Sequence, residues 1–132
     1  MTAQEAVAYI ETYTWSSTRL GLERTCELLE RVGNPQKKLK FVHVAGSNGK
    51  GSICAMLSSV LRAAGYRVGL YVSPHLQAFQ ERFQIDGAPV SEAVFAAAAE
   101  RVREAAEAMD DHPSQFELST AVGMLCYQEA GC

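Results

Sequence analysis

The residues best equipped to do chemistry are Gly46-Ser47-Asn48-Gly49-Lys50-Gly51-Ser52. Closely spaced glycines let successive backbone N–H groups turn inward as a nest for phosphate oxygens, and a helix starting at such a loop adds partial positive charge. Lys50 would reach the β and γ phosphates of a nucleotide, and the Ser52 hydroxyl would face a Mg²⁺ ion bridging them. The spacing departs from the ordinary phosphate loop, G-x-x-x-x-G-K-[ST]: position 44 is Val44 rather than glycine, and Gly51 stands where a hydroxyl should follow the lysine. The competing reading is a glycine-rich turn with a solvated lysine.

Position favours the phosphate reading. Upstream, Phe41-Val42-His43-Val44-Ala45 is short, β-branched and nearly all apolar, the pattern of a strand covered on both faces. Downstream, Ile53, Leu57, Val60, Leu61 and Ala64 mark one helical face that Gly65 terminates, and a second strand is expected over 66–72. Strand, loop, helix and strand make a βαβ unit, so the expected fold is α/β with a parallel sheet flanked by helices.

Other elements frame this unit. Val7, Ile10 and Tyr13 predict a first short helix, and Leu22, Cys26, Leu29 and Val32 a second that Gly33-Asn34-Pro35 stops. The stretch Thr14-Trp15-Ser16-Ser17-Thr18-Arg19 reads as a polar loop between them. Asp86-Gly87 predicts a hairpin, and Ser91 caps a helix with the face Val94, Ala98, Val102, Ala105 and Met109. A last helical pattern carries Phe116, Leu118, Val122 and Leu125. Two parallel strands rarely make a stable sheet, so the fold is expected to continue beyond these residues.

Composition limits the alternatives. The chain has 132 residues, 48 % of them hydrophobic, and a formal net charge of −3, which gives no basic field for nucleic acid. Cys26, Cys54, Cys126 and Cys132 form no C-x-x-C pair and no zinc or disulfide framework, so they read as reduced thiols. With no leader pattern at the amino terminus and no spanning apolar run, the expected location is the cytoplasm, with no membrane partner. His43 in its apolar run reads as a core histidine before a catalyst, whereas His75 is open to either reading.

The string from His43 to Ser52, with Ala63-Ala64-Gly65-Tyr66-Arg67-Val68-Gly69-Leu70-Tyr71 and Ser73-Pro74-His75-Leu76, closely resembles the folylpolyglutamate and dihydrofolate synthases of the Mur ligase superfamily. Leu20-Gly21-Leu22-Glu23-Arg24, Glu81-Arg82 and Phe116-Glu117 extend the resemblance, and Ser47 departs from the family's usual threonine. The resemblance implies that residues 1–132 are the N-terminal part of an ATP-binding domain, with the rest of that domain and a second ligase domain outside them. It implies ATP binding by Ser47, Asn48, Gly49, Lys50, Gly51 and Ser52, Lys50 being the catalytic cation. It implies Mg²⁺ ligation by Ser73 beside Ser52, where a plain Ser-Pro turn is the alternative.

For the acceptor the resemblance implies Leu20, Gly21, Leu22, Phe116 and Glu117, with Arg82 toward a substrate carboxylate. On pattern alone Phe116 reads as a core residue and Arg82 equally as a solvated charge. Gln115 departs from the aromatic residue common in the family. The implied activity is ATP-dependent addition of L-glutamate to dihydropteroate or a reduced folate through an acyl phosphate, by a monomeric enzyme. The rivals are a Mur-type peptidoglycan-precursor ligase, and a phosphate-loop switch or non-catalytic nucleotide-binding module. These residues alone are expected to be inactive as a ligase.

Overall fold

The computed structural model describes residues 1–13 and 20–132; the expected polar loop 14–19 lies outside them. Helix α1, Ala3–Thr12, starts in a capping box: the Thr2 hydroxyl accepts from the Glu5 N–H at 3.1 Å, and the Glu5 carboxylate accepts from the Thr2 N–H at 2.7 Å. Helix α2, Glu23–Arg31, is followed by a 3-10 turn at Pro35–Lys38, and α3 spans Lys50–Ala63. Three short strands, β1 (Gly69–Tyr71), β2 (Phe83–Ile85) and β3 (Ala88–Pro89), precede α4 (Glu92–Glu107) and α5 (Gln115–Glu129).

The predicted caps and turns are present. Ser91 accepts from the Val94 N–H, and Asp86 (φ 50°) and Gly87 (φ 83°) both adopt the left-handed conformation that a two-residue hairpin turn needs. Asp86 also accepts from the Val68 N–H at 2.9 Å, which ties the turn to the residue before β1.

The core lies among α1, α2, α4, α5 and one face of β2. Ile10, Leu28, Phe83, Phe95, Leu118 and Leu125 are almost wholly buried. Phe83 stacks on Phe95 at 5.8 Å, and its ring lies against Gly123, where an added Cβ would sit 3.1 Å from it. In α2 the buried positions are Arg24, Leu28 and Leu29, with Val32 just beyond, while Leu22 and Cys26 face out. The apolar face is thus rotated from the one predicted, because the buried ion pair of Arg24 takes the inward side of the first turn.

The α/β class holds, but the parallel pairing is not seen among the described residues. The expected strand over 66–72 narrows to β1, which pairs antiparallel with β2 in the register Gly69 with Ile85 and Tyr71 with Phe83; β3 then pairs antiparallel with β2. Residues 41–45 have no ladder, and Phe41 (57 %), Val42 (68 %) and His43 are exposed. His43 is therefore not a core residue here. A hairpin partner is available locally, whereas a parallel strand must be covered on both faces to be stable.

The same lack of cover leaves Ile53, Met56 and Val60 of α3 exposed, and Ser58 is that helix's only buried residue. A cavity of about 480 Å³ separates 38–44 from α3 and β1, lined by Val42, Val44, Leu57, Leu61 and Leu70 among others. Among the described residues no helix is long and apolar enough to cross a membrane.

Candidate functional site

The phosphate-loop candidates sit where the sequence puts them, at the entry to α3. Gly49, with φ 77°, occupies the N-cap in a left-handed conformation that suits glycine. The first intrahelical bond runs from the Ile53 N–H to the Gly49 carbonyl at 3.0 Å. Helix geometry therefore leaves the N–H groups of Lys50, Gly51 and Ser52 without intrahelical acceptors. Lys50 folds back so that its ammonium donates to the Gly46 carbonyl. Ser47, Asn48, Gly51 and Ser52 are all exposed. This is a donor-rich concave turn with a cation poised across it, suited to an oxyanion.

A second group forms after β1. Ser73 is exposed and joined to Pro74 by a cis peptide. Glu81 folds the loop upon itself: its carboxylate accepts from the N–H groups of Leu76, Gln77 and Ala78 at 2.8 to 3.0 Å. Those backbone bonds, with Leu76 the largest contributor, hold its pKa below the ordinary carboxylate value. Arg82 donates from Nε to His75 Nδ1 at 3.0 Å and lies over the Phe79 ring, 4.7 Å from its centroid.

The third group joins the starts of α2 and α5. Leu20 is fully exposed and Leu22 and Phe116 are each 70 % exposed, so Phe116 is not the core residue its periodicity suggests. Below them, Arg24 Nη2 pairs with Glu117 Oε2 at 3.0 Å, and the Thr25 hydroxyl donates to Glu117 Oε1 at 3.1 Å. Glu117 Oε2 also accepts from the Ser114 N–H at 2.8 Å. Burial pushes the Glu117 carboxyl up, but Ser114, Thr25 and Arg24 together outweigh it and leave the pKa lowered. Glu117 is 8 % exposed, with its carboxylate bonded inside the fold, while the neighbouring Phe116 faces out.

Tyr71 links the second and third groups. Its ring stacks on Phe83 at 5.5 Å. Burial raises its pKa, against the opposing influence of the neighbouring Thr120 and Ser119 hydroxyls and the Arg82 charge. Thr120 in turn donates to the Phe116 carbonyl at 2.8 Å. Sequence reasoning missed Tyr71 and Arg24, although both lie inside the resembling strings. The available signal was that Arg24 stands four positions before Leu28, on one face of a helix.

Ser52 and Ser73 offer hard oxygen donors of the type Mg²⁺ accepts when phosphates and water complete its shell. Among the described residues no cluster of three His, Cys, Asp or Glu side chains adds a protein cage. Both hydroxyls are exposed and of a chemistry that can join phosphate and water oxygens around Mg²⁺.

No protein-family model matches the chain. It is 38 % identical over 132 residues to the dihydrofolate synthase/folylpolyglutamate synthase of Bacillus subtilis, covering 92 % of this chain and 31 % of that protein. Among solved structures, the folylpolyglutamate synthetase from Lactobacillus casei superposes with a TM-score of 0.92 at 35 % identity, over 99 % of this chain and 34 % of that one. Escherichia coli FolC in complex with DHPP and ADP superposes with a TM-score of 0.87 at 34 % identity, over 98 % and 31 % respectively. The chain thus spans about a third of the length of the relatives it matches. Over that span, in sequence and in fold, it is a homologue of the dihydrofolate synthase/folylpolyglutamate synthases.

Proposed function

We propose that the intact protein carrying this chain is an ATP-dependent ligase that joins L-glutamate to dihydropteroate, a reduced folate, or both, in the cytoplasm and as a monomer. The observation that carries this reading is a donor-rich loop at α3 in the same chain as an exposed aromatic residue, Phe116, that adjoins the buried Glu117–Arg24 pair. One binds phosphate; the other offers a face to a flat ring. Residues 1–132 then belong to the ATP-binding domain, and the sheet they begin is completed by the remainder of the protein.

In this mechanism the loop N–H groups and Lys50 hold the triphosphate while the acceptor carboxylate attacks the γ phosphorus, giving an acyl phosphate and ADP. Mg²⁺, when bound beside Ser52 and Ser73, would neutralise developing phosphate charge. The glutamate amine then displaces phosphate from the acyl carbon, losing a proton, and an amide forms. Phosphorylation matters because a free carboxylate has no usable leaving group for an amine. Leu20, Leu22 and Phe116 bind the ring of the acceptor, and Arg82 its carboxylate.

The test is phosphate release by the intact protein. Release that requires both glutamate and a pteroate or folate supports the reading. Release driven instead by a peptidoglycan precursor, or independent of any acceptor, overturns it.

A further inference from the structure

We propose that His75 is a positioning residue for acceptor recognition: it orients Arg82 so that the two terminal guanidinium nitrogens form a forked donor pair for a carboxylate on the acceptor. The inference rests on the ligase reading above and extends it to a residue with no role there.

The guanidinium is held from two directions. Its Nε–H donates to His75 Nδ1 at 3.0 Å, which fixes one edge, and the Phe79 ring covers one face at 4.7 Å. His75 is itself set by its contact with Phe79, ring centroids 5.4 Å apart. The backbone between those two residues is held by the three N–H bonds to Glu81. What remains open on Arg82 is the edge bearing Nη1 and Nη2, the edge that matches a carboxylate with two parallel hydrogen bonds. Among the described residues no carboxylate lies within ion-pair distance of Arg82.

The ligand class follows from the surroundings. Arg82 adjoins Phe83, whose ring stacks on Tyr71 at 5.5 Å and lies against Gly123 of α5, the helix whose first turn presents the exposed Phe116 ring. A molecule with a flat ring on Phe116 and a carboxylate reaching Arg82 fits this pair of contacts. His75 can accept from Nε–H only with Nδ1 unprotonated, so its own proton resides on Nε2. Asparagine places a carbonyl oxygen near the position of Nδ1 and keeps that acceptor; alanine does not.

The experiment compares wild type, His75→Ala and His75→Asn in the intact protein, measuring KM for folate acceptor, KM for ATP and kcat. The expected result is a rise of about tenfold in acceptor KM for His75→Ala with ATP KM unchanged, and recovery to within about twofold of wild type for His75→Asn. A double variant, His75→Ala with Arg82→Lys, should be little worse than Arg82→Lys alone, because both changes remove one interaction. Unchanged acceptor KM in His75→Ala, equal losses for ATP and acceptor, or no recovery with asparagine each overturns the assignment. If wild type itself shows no glutamate- and folate-dependent phosphate release, the ligase reading falls and takes this inference with it.

Discussion

Arg24 Nη2 lies 3.0 Å from Glu117 Oε2, with each side chain 9 % exposed, and this pair joins the first turn of α2 to the first turn of α5. Both turns carry acceptor-site candidates. The pair therefore has an architectural duty: it sets the spacing between Leu22 and Phe116. Arg24 also donates to the His112 carbonyl at 2.9 Å, so the loop before α5 is drawn into the same arrangement.

Glu117→Gln should destabilise the chain by about 1–3 kcal/mol, since it removes the more buried of the two carboxylates paired with Arg24 and leaves Asp111, at 3.5 Å, as the other. The pH dependence follows from the lowered pKa of Glu117. A carboxyl with a depressed folded pKa contributes stability above its unfolded value, and that contribution is lost as pH falls through the folded value. Urea midpoints should thus differ between wild type and Glu117→Gln at neutral pH and converge below the ordinary glutamate value of 4.5. A constant gap across that range would show that the charge is not the cause.

Gly69→Ala tests the contact between β1 and α5. A Cβ at this position would meet the Tyr127 ring at 2.5 Å, while the Tyr127 hydroxyl donates to the Leu70 carbonyl at 2.9 Å. The ring cannot retreat without giving up that bond. A loss of about 1–3 kcal/mol in denaturant unfolding is expected. The companion change Tyr127→Phe should cost about 1 kcal/mol.

Lys50→Ala separates chemistry from stability. Lys50 is exposed, so the melting temperature of the chain should move little. In the intact protein, acceptor-dependent phosphate release should fall by about 100-fold or more, as for loss of a cation aimed at developing negative charge.

Cysteine labelling tests the packing of α5. Cys126 is buried and its thiol is pushed up to about 12, first by desolvation. Cys26 is exposed. Iodoacetamide at pH 8 should modify Cys26 and spare Cys126 until denaturant is added. Equal rates for the two in the folded chain would contradict the buried position of α5.

The local signals in the sequence were readable where neighbouring residues decide the structure. Ser91, Gly65 and the Asp86-Gly87 turn act through bonds within a few positions, and all appear as expected, whereas the Ser114 cap of α5 was not anticipated. The glycine-rich entry to α3 was legible for the same reason. Periodicity was less sufficient where burial depends on partners far along the chain. Leu22 and Phe116 carry the pattern of core residues and are exposed, while Arg24 and Glu117 carry charge and are buried. The parallel pairing expected of 41–45 needs neighbours on both faces, and apolar content could not reveal that they are lacking among the described residues.

The uneven cover of α3 bears on the energetics of ligand binding. Its only buried residue is Ser58, whereas α5 is buried along most of its length. A helix with few packed contacts opens at low free-energy cost, so its amides should exchange with deuterium far sooner than those of α5. The phosphate-loop candidate is attached to the less packed of these two helices. For residues 1–132 by themselves, a nucleotide bound there would spend part of its interaction energy on ordering α3, and any contact that covers Ile53, Met56 and Val60 would raise nucleotide affinity without touching the nucleotide.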